Sequence, residues 1–390
     1  MPDSLKQECT GCGSERLLVF FENRNVPIYV NFLWKSPDAA RGCPRGDIML
    51  ALCRDCGLIF NAAFDPWKLV YRDGYENSLH FSTVFQSYAE KLADTLIEQF
   101  DLRDKSIIEI GCGGGEFLSL LCERGPNTGL GFDPSPRTAS GKPISDRVSI
   151  VPDYYSERYS DRQADFICSR HTLEHVGRPE DMLGPIRQSV GQRVDLPIFF
   201  EVPNARYMLE NHFIWDIIYE HASYFTTTGL ANAFVRAGFE ARDIYETFAG
   251  QYLCITARAA TKPVDATTVG DDLVALVESF QTAHVGYSEM WKTRLEGLNR
   301  EGKNAVVWGA GSKGVMFVNS LDVDGLVEKV VDINPNKQGM FIAGSGQKIV
   351  APESLTSQPP DTVIVANPVY IQEISEILHD QGVKPELIPL

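Results

Sequence analysis

The sequence predicts an α/β protein, with two strand, glycine-turn and helix units behind a small N-terminal lobe built on cysteines. Three observations carry that expectation. Ile107-Ile108-Glu109-Ile110 is a β-branched run that ends in Gly111, Gly113, Gly114 and Gly115, and Phe117, Leu118, Leu120 and Leu121 follow at helical spacing. Ala305-Val306-Val307-Trp308 runs into Gly309, Gly311 and Gly314 in the same way. Cys9-Thr10-Gly11-Cys12-Gly13 and Cys53-Arg54-Asp55-Cys56-Gly57 are two matched knuckles.

At 390 residues the chain is too long for one core, so more than one domain is expected. Composition shifts place the boundaries at a lobe over 1–70, a first α/β domain over 71–260, a linker and connecting helix over 261–300, and a second α/β domain over 301–390. The 36 basic against 52 acidic residues give a net charge of −16, without a basic stripe, which argues against a nucleic-acid partner. A small anionic substrate needs only a local pocket and stays compatible with that balance. Residues 1–8 lack the apolar core of a signal peptide, and no stretch reaches the length of a membrane span. A soluble, cytoplasmic protein is therefore expected, with no membrane partner and a monomer as the default state. Nine cysteines, an odd number, point in a reducing compartment to metal or burial rather than disulfides.

Two CxxC-Gly knuckles let Cys9, Cys12, Cys53 and Cys56 converge on one ion, the closed four-sulfur set of a structural zinc. Leu58 to Asn61 continue as a strand. The stretch from Tyr71 through Tyr75, Glu76, Asn77 and Ser78 to Ser82 is aromatic and polar, which suits either a lid or a packed connection. Thr83–Phe100 is helical, with Val84, Tyr88, Leu92, Leu96 and Ile97 on its apolar side. The first glycine turn brings a nucleotide-like ligand against bare backbone, since a Cβ there would hold it off. Gly129-Leu130-Gly131-Phe132-Asp133-Pro134 is a second strand whose carboxylate can take two ribose hydroxyls. Strands from Val148 to Asp153 and from Ala164 to Ser169 follow. The latter opens into Arg170-His171-Thr172-Leu173-Glu174-His175, so His171 and His175 fall in the cleft by topology. His171, Glu174 and His175 also read thinly as a metal helix. A fifth strand ends at Asn204, and Tyr219-Glu220-His221 offers a hydroxyl, an orienting carboxylate and a base within three residues. Residues 252–257 are the last strand of this sheet, and Asp271–Arg300 is a long connecting helix. In the second unit, Gly309-x-Gly311-x-x-Gly314 with Asp332 fits either a dinucleotide or the diphosphate of a substrate, with Lys313 and Lys337 as positive charges.

Glu109-x-Gly111-x-Gly113-x-Gly115 resembles the first motif of class I S-adenosylmethionine (SAM) methyltransferases, and Asp133 their second. As a whole the chain resembles the deoxysugar C-methyltransferases of nucleotide-sugar pathways, on the paired cysteines, Glu109 to Gly115, Leu173-Glu174-His175-Val176, Glu220-His221, and Gly309 to Gly314 with Lys337-Gln338-Gly339. The resemblance implies a zinc lobe, a class I SAM domain of Rossmann-like fold, and a C-terminal Rossmann-like domain that holds the nucleotide sugar against it. It implies SAM contacts from Glu109, Gly111, Gly113, Gly115, Asp133, Pro134, Asp153 (near the adenine amine) and His171. It implies substrate contacts from Tyr219, Asn204, Lys313 and Lys337.

The implied chemistry is C-methylation of a nucleoside-diphosphate 4-keto sugar. His221 is the expected base, Glu220 orients it, and Tyr75 and His175 act on the keto oxygen or in a second proton transfer. The chain departs from its relatives at Tyr219, where they read His, and in its longer, more polar aromatic loop. Three rival readings are an O- or N-methyltransferase of another metabolite, an NAD-dependent oxidoreductase on the second turn, and a non-catalytic binder.

Overall fold

Leu17–Pro27 (β1), Arg45–Cys53 (β2) and Ile59–Asn61 (β3) pair antiparallel, with the short helix Pro37–Arg41 (α1) between the first two. The structure, a computed structural model, describes residues 5–69, 74–135, 144–321, 325 and 327–390. Residues 1–4, and the Tyr71, Arg72 and Asp73 that open the aromatic loop, lie outside the described residues. The sequence reading anticipates β3 alone in this sheet. Register shifts between Val19 and Phe21 and between Asn23 and Val26 break the two-residue alternation that would have revealed β1.

Helix Thr83–Phe100 (α2) forms as expected. Ser82 Oγ caps it by accepting from Phe85 N, Asp101 ends it in the left-handed region at φ 49°, and Phe85, Ala89, Leu92, Ala93, Leu96 and Ile97 make its buried stripe. Next come Ser106–Ile110 (β4), Glu116–Arg124 (α3), Thr128–Phe132 (β5), Val148–Val151 (β6), Phe166–Arg170 (β7), Pro179–Val190 (α4), Ile198–Pro203 (β8) and Ala205–Glu210 (α5). Ser223–Tyr224 (β9) leaves this region and pairs antiparallel with β3, so the lobe and the first α/β domain share a sheet. Thr227–Arg236 (α6), Phe239–Thr247 (β10) and Tyr252–Ala259 (β11) complete the domain.

The central sheet runs β10-β11-β8-β7-β4-β5-β6, with β6, β5, β4, β7 and β8 parallel and β11 reversed between β8 and β10. Strand order reverses between β4 and β7, so a ligand site is expected where their carboxyl ends part. Asp271–Arg300 (α7) leads to Ala305–Trp308 (β12), Ser312–Ser320 (α8), Val327–Val331 (β13), Lys348–Val350 (β14), Thr362–Val365 (β15), Ile371–Asp380 (α9) and Glu386–Pro389 (β16). Their sheet, β14-β13-β12-β15-β16, is parallel throughout, with its switch point between β12 and β15.

One apolar cluster joins all parts of the chain. Phe20 and Ile48 of the lobe, Trp215 and Tyr219 of the first α/β domain, Phe280 and Trp291 of α7, and Val315 and Phe317 of α8 are buried together. The lobe is therefore packed as a wall of the molecule. Among the described residues, no helix is long and apolar enough to cross a membrane.

Candidate active site

The turn after β4 has the backbone that its glycines predict. Gly111, Gly113 and Gly115 have φ of +72°, +55° and +81°. A Cβ on Gly111 would lie 2.0 Å from Thr172 Oγ1, whereas one on Gly113 would meet no atom within 4 Å. Gly113 thus presents bare backbone to open space. Asp133 spans the turn: Oδ2 accepts from Gly113 N at 2.9 Å and Oδ1 from Ser135 N at 2.8 Å. Pro134 between them is half-buried. Glu109 is 2 % exposed, and its Oε2 has no hydrogen-bond partner. Burial raises its pKa to about 8, against the pull of Arg170. A buried acid with one unpartnered oxygen, near a glycine turn that is open at Gly113, fits a bound cation such as SAM. Asp153, at the end of β6, already accepts from Tyr159 Oη at 2.6 Å and Tyr154 N at 2.8 Å and pairs with Arg158 at 3.0 Å. The Tyr159 hydroxyl, ahead of Arg158, holds its pKa below the usual carboxylate range.

A buried ionic network lies under this turn, and the sequence reading did not assign it. Arg170 Nε donates to Glu201 Oε1 at 2.9 Å, and the guanidinium lies 4.3 Å from the ring centroid of Phe117 on α3. Tyr88 of α2 donates to the same carboxylate. His171 Nε2 lies 2.9 Å from Glu201 Oε1, and its Nδ1 lies 3.7 Å from Glu174. Burial opposes a charge on His171, but the two carboxylates prevail and raise its pKa to about 9. His171 is therefore an imidazolium at neutral pH, held at φ 49° with its ring 4.4 Å from that of Tyr252. The signal was present in the sequence: Arg170 and Glu201 interrupt otherwise apolar parallel strands, where a charge persists only if paired.

A cavity of about 300 Å³ runs between the carboxyl ends of the parallel strands of the two sheets. Tyr75, His171, His175 and His221 line it from one side, and Gly309, Gly311, Lys313 and Lys337 from the other. The His175 and His221 rings meet edge to face at 5.0 Å, and Glu174 joins them with ligand atoms within 4.8 Å. His221, rather than His171, is thus the histidine that completes this group. His175 Nδ1 donates to the Glu220 backbone carbonyl at 3.0 Å, which leaves Nε2 as the acceptor of the neutral ring. Burial, with His175, His171 and Lys313 nearby, pushes the pKa of His221 well below its ordinary value.

Three expected roles are corrected by the geometry. Glu220 does not orient His221: its Oε2 accepts from Val30 N at 3.1 Å, and Tyr75 donates to the same carboxyl group. Burial raises the pKa of Glu220 to about 7 against those two donors. Tyr219 lies outside the cavity. It is fully buried over Gly46, where a Cβ would lie 2.3 Å from its ring, and its hydroxyl accepts from Asp65 N at 3.1 Å. Asn204 lines the cavity, yet its Nδ2 donates to Glu246 and Gly250 and its Oδ1 caps α5, so its polar atoms serve the fold.

In the second turn, Gly309 has φ +115°, and a Cβ on Gly314 would lie 1.9 Å from Gly309 O. Asp332 accepts from Ala310 N and Asn334 N, each at 2.8 Å, much as Asp133 serves the first turn. Lys337 is 4 % exposed and donates to Ala310 O at 3.0 Å, so it braces this turn. Lys313 pairs across the cavity with Asp216 at 2.7 Å. Helix α8 begins at Ser312 without a side-chain cap, leaving its first N–H groups toward the cavity.

At the far end of the lobe, Cys9 and Cys56 sulfurs lie 3.5 Å apart, as do those of Cys12 and Cys53, and all four fall within 4.8 Å of one another. A tetrahedral zinc with bonds of about 2.3 Å requires similar spacings. Gly11 N–H also points at Cys9 Sγ, at 3.3 Å. The four cysteines are compatible with that ion.

Comparison with known proteins agrees with this geometry. A family model described as "Methyltransferase domain" matches residues 82–244. The doubly wound sheet and its glycine turn thus fall within a stretch that matches a methyltransferase domain. More particularly, a second family model, "C-methyltransferase C-terminal domain", matches residues 266–384, so the chain joins a methyltransferase domain to a C-terminal domain of the C-methyltransferase kind. The malonyl-[acyl-carrier protein] O-methyltransferase of Priestia megaterium is 33 % identical over 98 residues, 24 % of this chain and 36 % of that relative. The match therefore spans little more than a third of the curated relative. Among solved structures, the 1,6-didemethyltoxoflavin-N1-methyltransferase of Burkholderia thailandensis, with bound 1,6-didemethyltoxoflavin and S-adenosylhomocysteine, is 17 % identical, covering 53 % of this chain and 97 % of that one, with a TM-score of 0.34. Human N-acetylserotonin methyltransferase in complex with SAM is 15 % identical, covering 45 % and 55 %, with a TM-score of 0.36.

Proposed function

We propose that the protein C-methylates a nucleoside-diphosphate 4-keto sugar, with the nucleotide at the second glycine turn and the ring among Tyr75, His175 and His221. The observation that carries this reading is His221: an imidazole kept neutral, in the wall of a cavity that spans the ends of both sheets. A neutral imidazole accepts a proton, and the carbon beside a carbonyl gives one up once the resulting oxyanion is met. The diphosphate suits the uncapped N-terminus of α8 and the charge of Lys313, released from Asp216, with Lys337 holding the turn in shape.

Bound SAM supplies an electrophilic methyl carbon. Glu109, Asp133 and the turn from Gly111 to Gly115 are the groups placed to hold it, and Asp153 serves its pocket through Tyr159 and Tyr154. His221 takes the proton from the carbon beside the carbonyl, and the C–H electron pair moves onto the keto oxygen as an enolate. The enolate carbon would then take the methyl group from the sulfonium sulfur, which would keep the S–C electron pair and leave as S-adenosylhomocysteine while the keto carbonyl re-forms. Tyr75, hydrogen-bonded to a carboxyl group that titrates near neutrality, meets the oxygen and exchanges its proton with Glu220. His175 backs His221 in a fixed tautomer. The four cysteines would hold a structural zinc, whose role would be to staple the lobe.

Incubation of enzyme and keto sugar in D₂O without SAM tests this reading. Deuterium should enter at the carbon next to the carbonyl, and His221→Asn should abolish entry while SAM still binds. Methylated product formed without exchange, and undiminished in His221→Asn, would assign transfer to oxygen or nitrogen instead.

A further inference from the structure

The segment that presents Tyr75 is fastened to other parts of the chain at both ends and in the middle. Its start pairs with the lobe: Phe32 bridges Tyr75, Leu33 N donates to Gly74 O at 2.8 Å, and Glu76 N donates to Asn31 O at 2.9 Å. Its end meets Glu373 of α9, which accepts from Ser82 Oγ, Thr83 N and Thr83 Oγ1, each at 2.7 Å. Between them, Glu76 is 6 % exposed and its carboxylate takes Asn334 Nδ2 at 3.2 Å, Asn336 Nδ2 at 3.0 Å and Ser78 N at 3.1 Å. Asn334 N in turn donates to Asp332, whose other oxygen holds Ala310 N in the second glycine turn. Asn336 N donates to Asn334 Oδ1 at 2.9 Å, which fixes the two amides relative to each other.

Burying a carboxylate is costly, and a loop that only needed closing could use a neutral side chain. A carboxylate adds two acceptor oxygens, one for each asparagine, on the residue next to Tyr75. We propose that Glu76 is a positioning residue: it registers the Tyr75 hydroxyl against the second glycine turn through Asn334, Asn336 and Asp332. Where Tyr75 stands is then set by the domain that holds the nucleotide rather than by the sheet that holds SAM. This rests on the role given to Tyr75 above. It adds that the C-terminal domain builds part of the catalytic wall.

Two measurements on the full-length enzyme with SAM test it. Asn336→Asp sets a second carboxylate against Glu76 without touching the cavity lining, and Glu76→Gln keeps one acceptor. Amide hydrogen exchange over residues 74–82 should quicken roughly tenfold in Asn336→Asp and less in Glu76→Gln. In turnover with a nucleoside-diphosphate keto sugar, kcat should fall about tenfold or more in Asn336→Asp with KM for SAM unchanged, and this loss should vanish in a Tyr75→Phe background. Unchanged exchange over 74–82 in Asn336→Asp would overturn the proposal, as would an equal loss of kcat with and without the Tyr75 hydroxyl. A wild-type enzyme inert toward every nucleoside-diphosphate keto sugar would overturn the functional reading instead, and the exchange rates would still decide the fastening.

Discussion

SAM affinity should depend on pH through Glu109. In the free enzyme this acid is buried, has one oxygen without a partner, and titrates at about 8. At neutral pH it is therefore mostly protonated. A cation bound in the adjoining turn favours the carboxylate, so binding expels the proton and affinity rises with pH until the free enzyme is ionised. The sign follows from the raised pKa: below it, each pH unit costs a factor of ten in affinity, about 1.4 kcal/mol. Relative to the alkaline limit, the dissociation constant should be about tenfold weaker at pH 7 and about a hundredfold weaker at pH 6. Calorimetric titration with SAM in buffers of different ionisation enthalpy measures both the constant and the proton released. Glu109→Gln should bind SAM weakly and lose the dependence. A flat constant between pH 6 and 8, or the same slope in Glu109→Gln, would refute the reasoning.

Other outcomes follow from particular contacts. Tyr219→Phe removes the hydroxyl that accepts from Asp65 N and donates to Asp65 O, so it should cost on the order of 1 kcal/mol in urea unfolding and leave turnover intact, whereas His221→Asn should lower kcat by about a hundredfold or more with unchanged stability. Gly111→Ala places a methyl 2.0 Å from Thr172 Oγ1 at φ +72°; about 1–3 kcal/mol of strain and at least tenfold weaker SAM binding should appear in denaturation and calorimetry. Elemental analysis should find one zinc per wild-type chain and none in Cys56→Ser, whose melting temperature should drop by on the order of 10 °C.

The legible parts of the fold were those with strong local signals. Both glycine turns, the Asp133 and Asp332 strand ends and α2 announce themselves through period, caps and positive-φ positions. The cysteine set was equally plain, because spacing alone constrains a tetrahedral site. Edge strands β1 and β10 were hidden, β1 by its bulges and β10 by its mixture of buried and exposed residues. Site chemistry was half visible. His171 and His175 could be placed in the cleft by topology and His221 was singled out by its polar neighbours, but the partners of Glu220 could not be read, since Val30 lies 190 positions away. Tyr219 misled because a polar triplet reads the same whether it faces a ligand or, as here, a neighbouring glycine. Lys313, Lys337 and Asn204 sit at the cavity as expected, yet each already has a partner from a distant part of the chain.

The pairing of β3 with Ser223–Tyr224 has a consequence for modularity. His221 stands two residues before a strand whose hydrogen-bonding neighbour belongs to the cysteine lobe. A shortened chain that began at α2 would keep every glycine of the first turn, but His221, the proposed base, would hang from an unzipped border. Such a fragment should remain a receptor for the donor while ceasing to be a catalyst, so transplanting the middle domain alone into another scaffold would carry over recognition without reactivity.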